Sequence, residues 1–569
     1  MTEVPPGHGP WRVLQRDDTF ALLDLAGDIG PADADVPGLF RGNTRFLSCL
    51  ALTLNGLRPF GLGAALQEGD GVLVTEMTNP ELTEAGRVAV PQGELHVFRA
   101  KLLWAGALYE HVRVSHFGSH PARVELALHL GADFVELEPP GTALPVSAQD
   151  RPVRTERLGA QLRFARRAAD GRERRTRVSL RPAPADLDTP SAHQGEGRAR
   201  WTVQLAPRGE FHLFVEVCCE IEGRPASDPL DYETAYRFHR EDQAATDARR
   251  PALETPQVLV NRWLARARCD LSMLRVQLPT GPYPLAGVPF EALPLGRDGL
   301  LVARAMLWLD PSLARGVLSH LAGPTSSGDT AQGTAGSGRI ANCGPADGAA
   351  DTTPLFIALA GAYVRRTNDL GFAHALWTGL AAPAHADRMA TRLLEPAFFS
   401  GFGIRTLASG QARYNPIAAF HGAVWPQDTA LVAAGLARYG HLQSALRLFD
   451  GLLDASHHFE GQRLPACFSG FARREGQGPA VSPGTFGLHA GAAASVFTLL
   501  QACLGLDIDA ARARVCLRAP RLPASIDILR LEGLQVGPAS LDLVIERNAA
   551  SVGVEVTRKA GEVAVRVLL

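Results

Sequence analysis

Glu291 lies a short loop ahead of the run Gly296-Arg297-Asp298-Gly299. Two carboxyls so close in sequence can serve as proton donor and proton acceptor, and an arginine beside an aspartate can pair with it or grip vicinal hydroxyls. The plainer reading makes Asp298 a cap on the helix LLVARAML and Glu291 a loop glutamate. Further on, Tyr414 and Asn415 precede Pro416, and His421, Trp425 and Asp428 follow in FHGAVWPQD. Together they offer an aromatic platform with convergent polar groups, the composition of a sugar site. Trp425 as core and Asp428 as a helix-end residue are the alternatives. Asp351, ahead of Thr352-Thr353-Pro354, reads equally as an N-cap or a site residue.

These residues fall in a stretch of helical periodicity. From Tyr232 the apolar residues recur at helical spacing in ETAYRFHREDQAATDARR, VNRWLARARCDLSMLRVQ, LLVARAMLWL, TPLFIALAGAYVRRTN, DTALVAAGLARYGH, HLQSALRLFDGLLDAS and GAAASVFTLLQACLGL. Ahead of it, FLSCLALTL, GVLVTEM, HVRVSHF, RVELALHL and FHLFVEVCCEIEG alternate between turn residues, which predicts an antiparallel β-sandwich. The Arg-rich segment after residue 150 also alternates and reads as a solvated edge hairpin or a patch for phosphate groups. Residues 323–350, dominated by Gly, Ala, Ser and Thr, read as a mobile loop or lid. Alternation returns in IDILRLEGLQV, SLDLVIERN and VAVRVLL, a small terminal β-element.

A chain of 569 residues exceeds a single core, and 46% hydrophobic with 20% charged residues is globular composition. A net charge of -2 gives no electrostatic footprint for nucleic acid, so a small or neutral ligand is expected. The start shows no basic region with an apolar run, and no apolar stretch reaches membrane-spanning length; a cytoplasmic protein is expected. The eight cysteines show no Cys-x-x-Cys spacing, Cys218 and Cys219 point to opposite faces of a strand, and His457-His458 stands without Cys partners. No metal and no cofactor are expected.

GLFRGNTRFLSCLALTLNG, followed by GALYEHVRV and HLGADF, resembles the opening domain of bacterial amylo-α-1,6-glucosidases, the glycogen-debranching-like proteins. NRWLARARCDLSML, GPYPLAGVPFEALPLGRDGL, ADTTPLFIAL, FSGFGIRTLA, YNPIAAFHGAVWPQD and RLPACFSGF are similar to that family in its own order. The resemblance spans nearly the whole chain. It implies an α+β multidomain protein: an N-terminal antiparallel β-sandwich over 1–230, an (α/α)6-type helical toroid over 231–520 and a C-terminal β-element over 521–569. It also implies an oligosaccharide ligand at one end of the toroid, with Arg297, Asp351, Arg405, Tyr414, Asn415, His421 and Trp425 facing it. Arg405 matches the family's Arg-Thr-Leu, where an arginine can also brace the loop.

Glycoside hydrolysis needs an acid to protonate the leaving oxygen and a carboxylate to activate water or attack carbon. The sequence departs from the family where those acids belong. The Trp-Lys-Asp-Ser block is replaced by LWTGLAAPAHADRMATRLLEP, so the toroid is expected to be incomplete. Leu-Pro-Glu-Leu-Phe becomes Leu464-Pro465-Ala466-Cys467-Phe468, and Gly-Lys-Ile-x-His-Glu becomes Gly338-Arg339-Ile340-Ala341-Asn342-Cys343. Glu291, where the family has a small or aromatic residue, can with Asp298 restore an acid/base couple, and Asp428 is a third candidate. Cys343 and Cys467 have no neighbouring histidine to activate them. Three functions follow: a divergent glycosidase, a pseudoenzyme binding carbohydrate or a protein partner, or acid/base chemistry on a non-sugar substrate. Helices lost from a closed toroid leave apolar faces for another copy, so a homo-oligomer is expected.

Overall fold

A computed structural model describes residues 11–30, 37–66, 71–84, 87–137, 152–189, 195–224, 230–248, 250–289, 291–322, 351–367, 391–482, 485, 487–548 and 552–568. The expected loop over 323–350, with Asn342 and Cys343, lies outside the described residues. Two compact units are present, Met1–Gln243 and Ala244–Leu569.

Among the described residues, the first unit is built on an eight-stranded antiparallel sheet. Its order is Arg154–Leu158, Gln161–Arg167, Glu173–Arg181, Glu210–Ile221, Ala107–His116, Leu95–Trp104, Leu73–Thr78, Phe60–Leu66. Period-2 alternation sends Leu213, Val215 and Val217 inward with Leu162, Phe164, Val178, Leu108 and Val112, where they form one apolar core with Leu52, Leu126 and Leu128 of a second, four-stranded sheet. The other face of the large sheet carries a second cluster that includes Tyr109, Ala100, Leu102 and Cys218, with Leu230 and, from the helix that follows it, Tyr232 and Tyr236. Arginines of the segment expected at an edge are paired: Arg174 with Asp170 at 2.7 Å, Arg177 with Glu220 at 3.0 Å, and Arg175 with Glu173. Their strand, Glu173–Arg181, is paired on both sides, so these arginines lie inside the sheet and not on its edge.

Helix α1 (Tyr232–Asp247) runs across the unit boundary. The second unit holds α2 (Val258–Met273), α3 (Gly296–Met306), α4 (Pro311–Ala322), α5 (Thr352–Thr367), α6 (Pro426–Arg438), α7 (Leu442–Ser456) and α8 (Ala490–Leu504). Helix α7 is amphipathic: Ala445, Leu448, Phe449 and Leu452 recur on one buried stripe. Helix α8 is buried on nearly every side and packs against α2, α3, α6 and α7, the position its all-round apolar sequence demands. Its small residues permit close approach, and Gly505 in a left-handed conformation (φ 55) ends it. The terminal strands Ile528–Val536, Ala539–Arg547 and Val552–Ala560 form one sheet with Ala252–Glu254, which pairs with the first of them, and the C-terminal β-element belongs to the same compact unit as the helices. No helix among the described residues is long and apolar enough to cross a membrane.

Candidate functional site

Three helices of the second unit begin with an acid. Asp298 lies in the first turn of α3, Asp428 in the first turn of α6, and Asp351 immediately before α5, where its carbonyl accepts the Leu355 N–H at 3.0 Å. An N-terminal acid faces the positive end of its helix dipole, which explains the residue type at each position. One cation pairs with Asp351, and its charge reaches the other two. Arg297 Nε donates to Asp351 Oδ2 at 2.8 Å, and the Arg297 charge also acts on Asp298 and Asp428.

The start of α3 is pinned from below. The Tyr283 hydroxyl, fully buried, donates to the Leu295 carbonyl at 2.9 Å. Gly299 is required for that contact, because a Cβ there would sit 2.5 Å from the tyrosine oxygen. Glu291 is held by a backbone bond from Gly287 N–H to its carbonyl at 3.2 Å, and Gly287–Val288 pairs with Leu488–His489 at the head of α8. His489 caps α8 by accepting the Ala492 N–H at 3.1 Å, and burial holds its imidazole near pKa 4, neutral at ordinary pH.

Burial and mutual repulsion push the carboxyls upward. Glu291 rises to about 7, first because it is buried and second because Asp298 faces it. Asp298 is raised by burial against the pull of Arg297, with Asp428 and Asp351 adding repulsion, and Asp428 is raised by burial against the same arginine. Asp298 and Asp428 thus share a cation that does not figure in the environment of Glu291. The environments separate the acids: Glu291 keeps its proton to the highest pH, while the Arg297 group favours ionised aspartates.

Beside this cluster, Trp425 caps α6 and donates from Nε1 to the Ala419 carbonyl at 2.7 Å. Phe420 stacks on it, centroids 5.6 Å apart and 19° between planes, and is 74% exposed. His489 meets the same indole edge-on at 6.2 Å. An exposed, stacked aromatic next to carboxylates suits the apolar face and the hydroxyl edge of a sugar ring. Phe420 was not singled out from sequence, where it stands among the apolar residues of Ile417-Ala418-Ala419.

Arg405 requires a correction. It is 4% exposed and donates to the carbonyls of Gly470 at 2.5 Å, Pro396 at 2.6 Å and Ala397 at 3.3 Å, so it braces the loops and is not free to grip a ligand. Tyr414 likewise donates its hydroxyl to Gly470 at 2.9 Å, and the Asn415 side chain accepts the Ile417 N–H at 3.2 Å within its own turn. Both serve the 405–424 loop. His421 is exposed at the end of that loop, its carbonyl accepting from Asn415 N–H at 2.8 Å.

Ala466, where the resemblance calls for a glutamate base, is 2% exposed. Next to it the Cys467 N–H donates to Thr485 Oγ1 at 3.1 Å, and burial raises the thiol, which excludes an activated nucleophile. Among the described residues no group of His, Cys, Asp and Glu is placed to hold a metal ion.

Residues 14–216 match the family model of the N-terminal domain of (some) glycogen debranching enzymes. Residues 351–464 match that of the mannosylglycerate hydrolase MGH1-like glycoside hydrolase domain. No match to the curated proteins is found. Among solved structures, one described as a kojibiose phosphorylase from the human microbiome is 8% identical, with a TM-score of 0.59 over 98% of this chain and 94% of the other. A bacterial glucoamylase complexed with acarbose is 10% identical, with a TM-score of 0.40 over 79% and 68% of the two chains. The first likeness establishes the fold: a sheet-rich N-terminal domain followed by a helical region of the (α/α)6 type. Together the two matches give the chain a domain like the N-terminal domain of glycogen debranching enzymes ahead of a glycoside hydrolase-like domain, the domain order of a debranching-enzyme-like protein.

Proposed function

We propose that the protein binds a glucose-containing oligosaccharide where α3, α5 and α6 begin, and that it does so without the standard hydrolytic pair. The observation that carries this reading is the Arg297–Asp351 ion pair, whose cation also acts on Asp298 and on Asp428 in the helix that Trp425 caps, with Phe420 stacked on that indole. Ionised aspartates accept from sugar hydroxyls, Arg297 donates to them, and the aromatic pair takes the ring face. Buried Ala466 supports the absence of turnover, since an alanine neither activates water nor attacks carbon. Calorimetry with maltooligosaccharides, run beside an assay for released glucose, is the test. Saturable heat without product is expected; absence of heat would remove the reading.

A second reading has its own support. Glu291, pushed up to about 7 and facing Asp298, has the proton affinity of a general acid near neutral pH. In that reading Glu291 gives its proton to the glycosidic oxygen as the C–O bond breaks, and Asp298 takes one from the attacking water. Product formation abolished by Glu291→Gln would establish it, and buffer-level release from the unmodified chain would end it. Use of the same acids on a non-sugar substrate is the third reading, removed if only carbohydrates bind. Self-association is part of the proposal as well: light scattering at twice the 60.7 kDa chain mass supports it, and a strict monomer overturns it.

A further inference from the structure

Strand register on the outer face of the large sheet aligns four polar side chains in one row. Gln161 pairs with Ser179, Ser179 with Glu216, and Glu216 with Tyr109, each directly opposite the next on four adjacent strands. Residues directly opposite across strands point to the same face, so the row spans about 14 Å at the usual strand spacing. It floors a cavity of about 240 Å³ in the first unit, which Phe214 and Tyr232 also line. Their rings lie 6.1 Å apart at 44°.

The row is not satisfied by itself. The Tyr109 hydroxyl is on a side chain 1% exposed, and its proton has no acceptor among the described residues. The Leu230 backbone amide near it favours its ionised form but cannot accept its proton. Glu216 accepts from the Cys218 thiol at 3.0 Å and faces Arg177 at 3.7 Å, which leaves carboxylate lone pairs unused. Ser179 accepts from Gln161 Nε2 at 3.1 Å and keeps its own proton to give. A buried hydroxyl whose proton finds no acceptor is costly, so an occupant that can accept is favoured over an apolar one.

We propose that this cavity is a second carbohydrate site, separate from the Arg297 cluster, that takes one neutral hexose ring. A sugar hydroxyl can accept from Tyr109 and donate to Glu216 together, and the ring face can lie on Phe214 and Tyr232. The volume falls below the range of about 300–1,000 Å³ typical of drug-sized ligands, which fits a single ring.

The test uses the full chain carrying Asp298→Asn, which disables the helical-domain cluster, titrated by calorimetry with glucose and with maltotriose. Saturable binding is expected, weakened about fivefold by Tyr109→Phe, as loss of one hydrogen bond implies. Ala160→Trp, a change in the strand-connecting turn that fills the cavity, should abolish it. Tighter binding of maltotriose than glucose identifies a chain-end sugar, and equal binding a free hexose; either supports the site. No saturable binding of either sugar in the Asp298→Asn chain overturns the proposal, as does binding that survives Ala160→Trp with an unchanged unfolding transition. Neither result bears on the Arg297 cluster, which is read in the chain with Asp298 intact.

Discussion

Arg297 Nε reaches Asp351 Oδ2 at 2.8 Å, and this contact joins the start of α3 to the start of α5. The same guanidinium acts on Asp298 and on Asp428 at the start of α6, so one cation serves three helix N-termini. A carbohydrate entering there meets acceptors from three elements, and their position depends on Arg297.

Arg297→Met is therefore expected to raise the carboxyl pKa values of Asp298 and Asp428 further and to weaken oligosaccharide binding about tenfold, roughly 1.4 kcal/mol. Calorimetry reads the affinity, and carbon-detected titration of the carboxyls reads the shift. Stability changes little, because the Arg297–Asp351 pair is half exposed.

Glu291 gives a pH dependence with a definite sign. Its folded pKa, about 7, exceeds the ordinary glutamate value of 4.5, so the folded state binds more protons between those values. Stability contributed by this group is complete below about 4.5 and is lost as pH rises through 7. Discounted for partial solvent screening, the loss is about 1–2 kcal/mol. Chemical denaturation at pH 5 and pH 8 should show that difference, and Glu291→Gln should shrink it.

Phe420 projects into solvent while stacked on Trp425. Phe420→Ala is expected to leave the unfolding midpoint within about 0.5 kcal/mol of the unmodified chain, since few buried contacts are lost. Oligosaccharide affinity should fall about fivefold, the worth of one stacking partner. A parallel loss of stability would mark the ring as structural.

Restoring a glutamate at position 466 is expected to fail. The site is closed, and an added carboxylate would be buried against Leu464, Cys467 and Phe468. Ala466→Glu should destabilise by about 2–4 kcal/mol in urea denaturation and release no glucose. Product formation by this variant would show that only the side chain was missing.

Arg405→Met removes donors from three carbonyls in a buried brace. About 3 kcal/mol of stability should be lost, from orphaned acceptors near Gly470 as much as from the lost bonds. Thermal unfolding checks it.

Period-2 alternation and helical spacing were enough to read the β-then-α-then-β order, because α7 and α8 bury continuous apolar faces. Helix α4 went unread, its short PSLARGVLSHLA lying between elements with stronger patterns. Asp298, Asp351 and Asp428 were each legible as helix-start acids or site residues, but their sharing the charge of Arg297 was not, since it depends on contacts between helices far apart in sequence. The same holds for the Gln161–Ser179–Glu216–Tyr109 row, which exists only once four strands settle into register. Arg405 was open between ligand and brace because an arginine's role is decided by which carbonyls fold around it.

Whether the Arg297 cluster holds sugar is decided by one titration: maltoheptaose into the chain carrying Ala160→Trp, with and without Asp298→Asn. Saturable heat in the first and its loss in the second, with both unfolding normally, is the expected outcome. Heat that is absent from the first, or unchanged by Asp298→Asn, would contradict carbohydrate binding at this site.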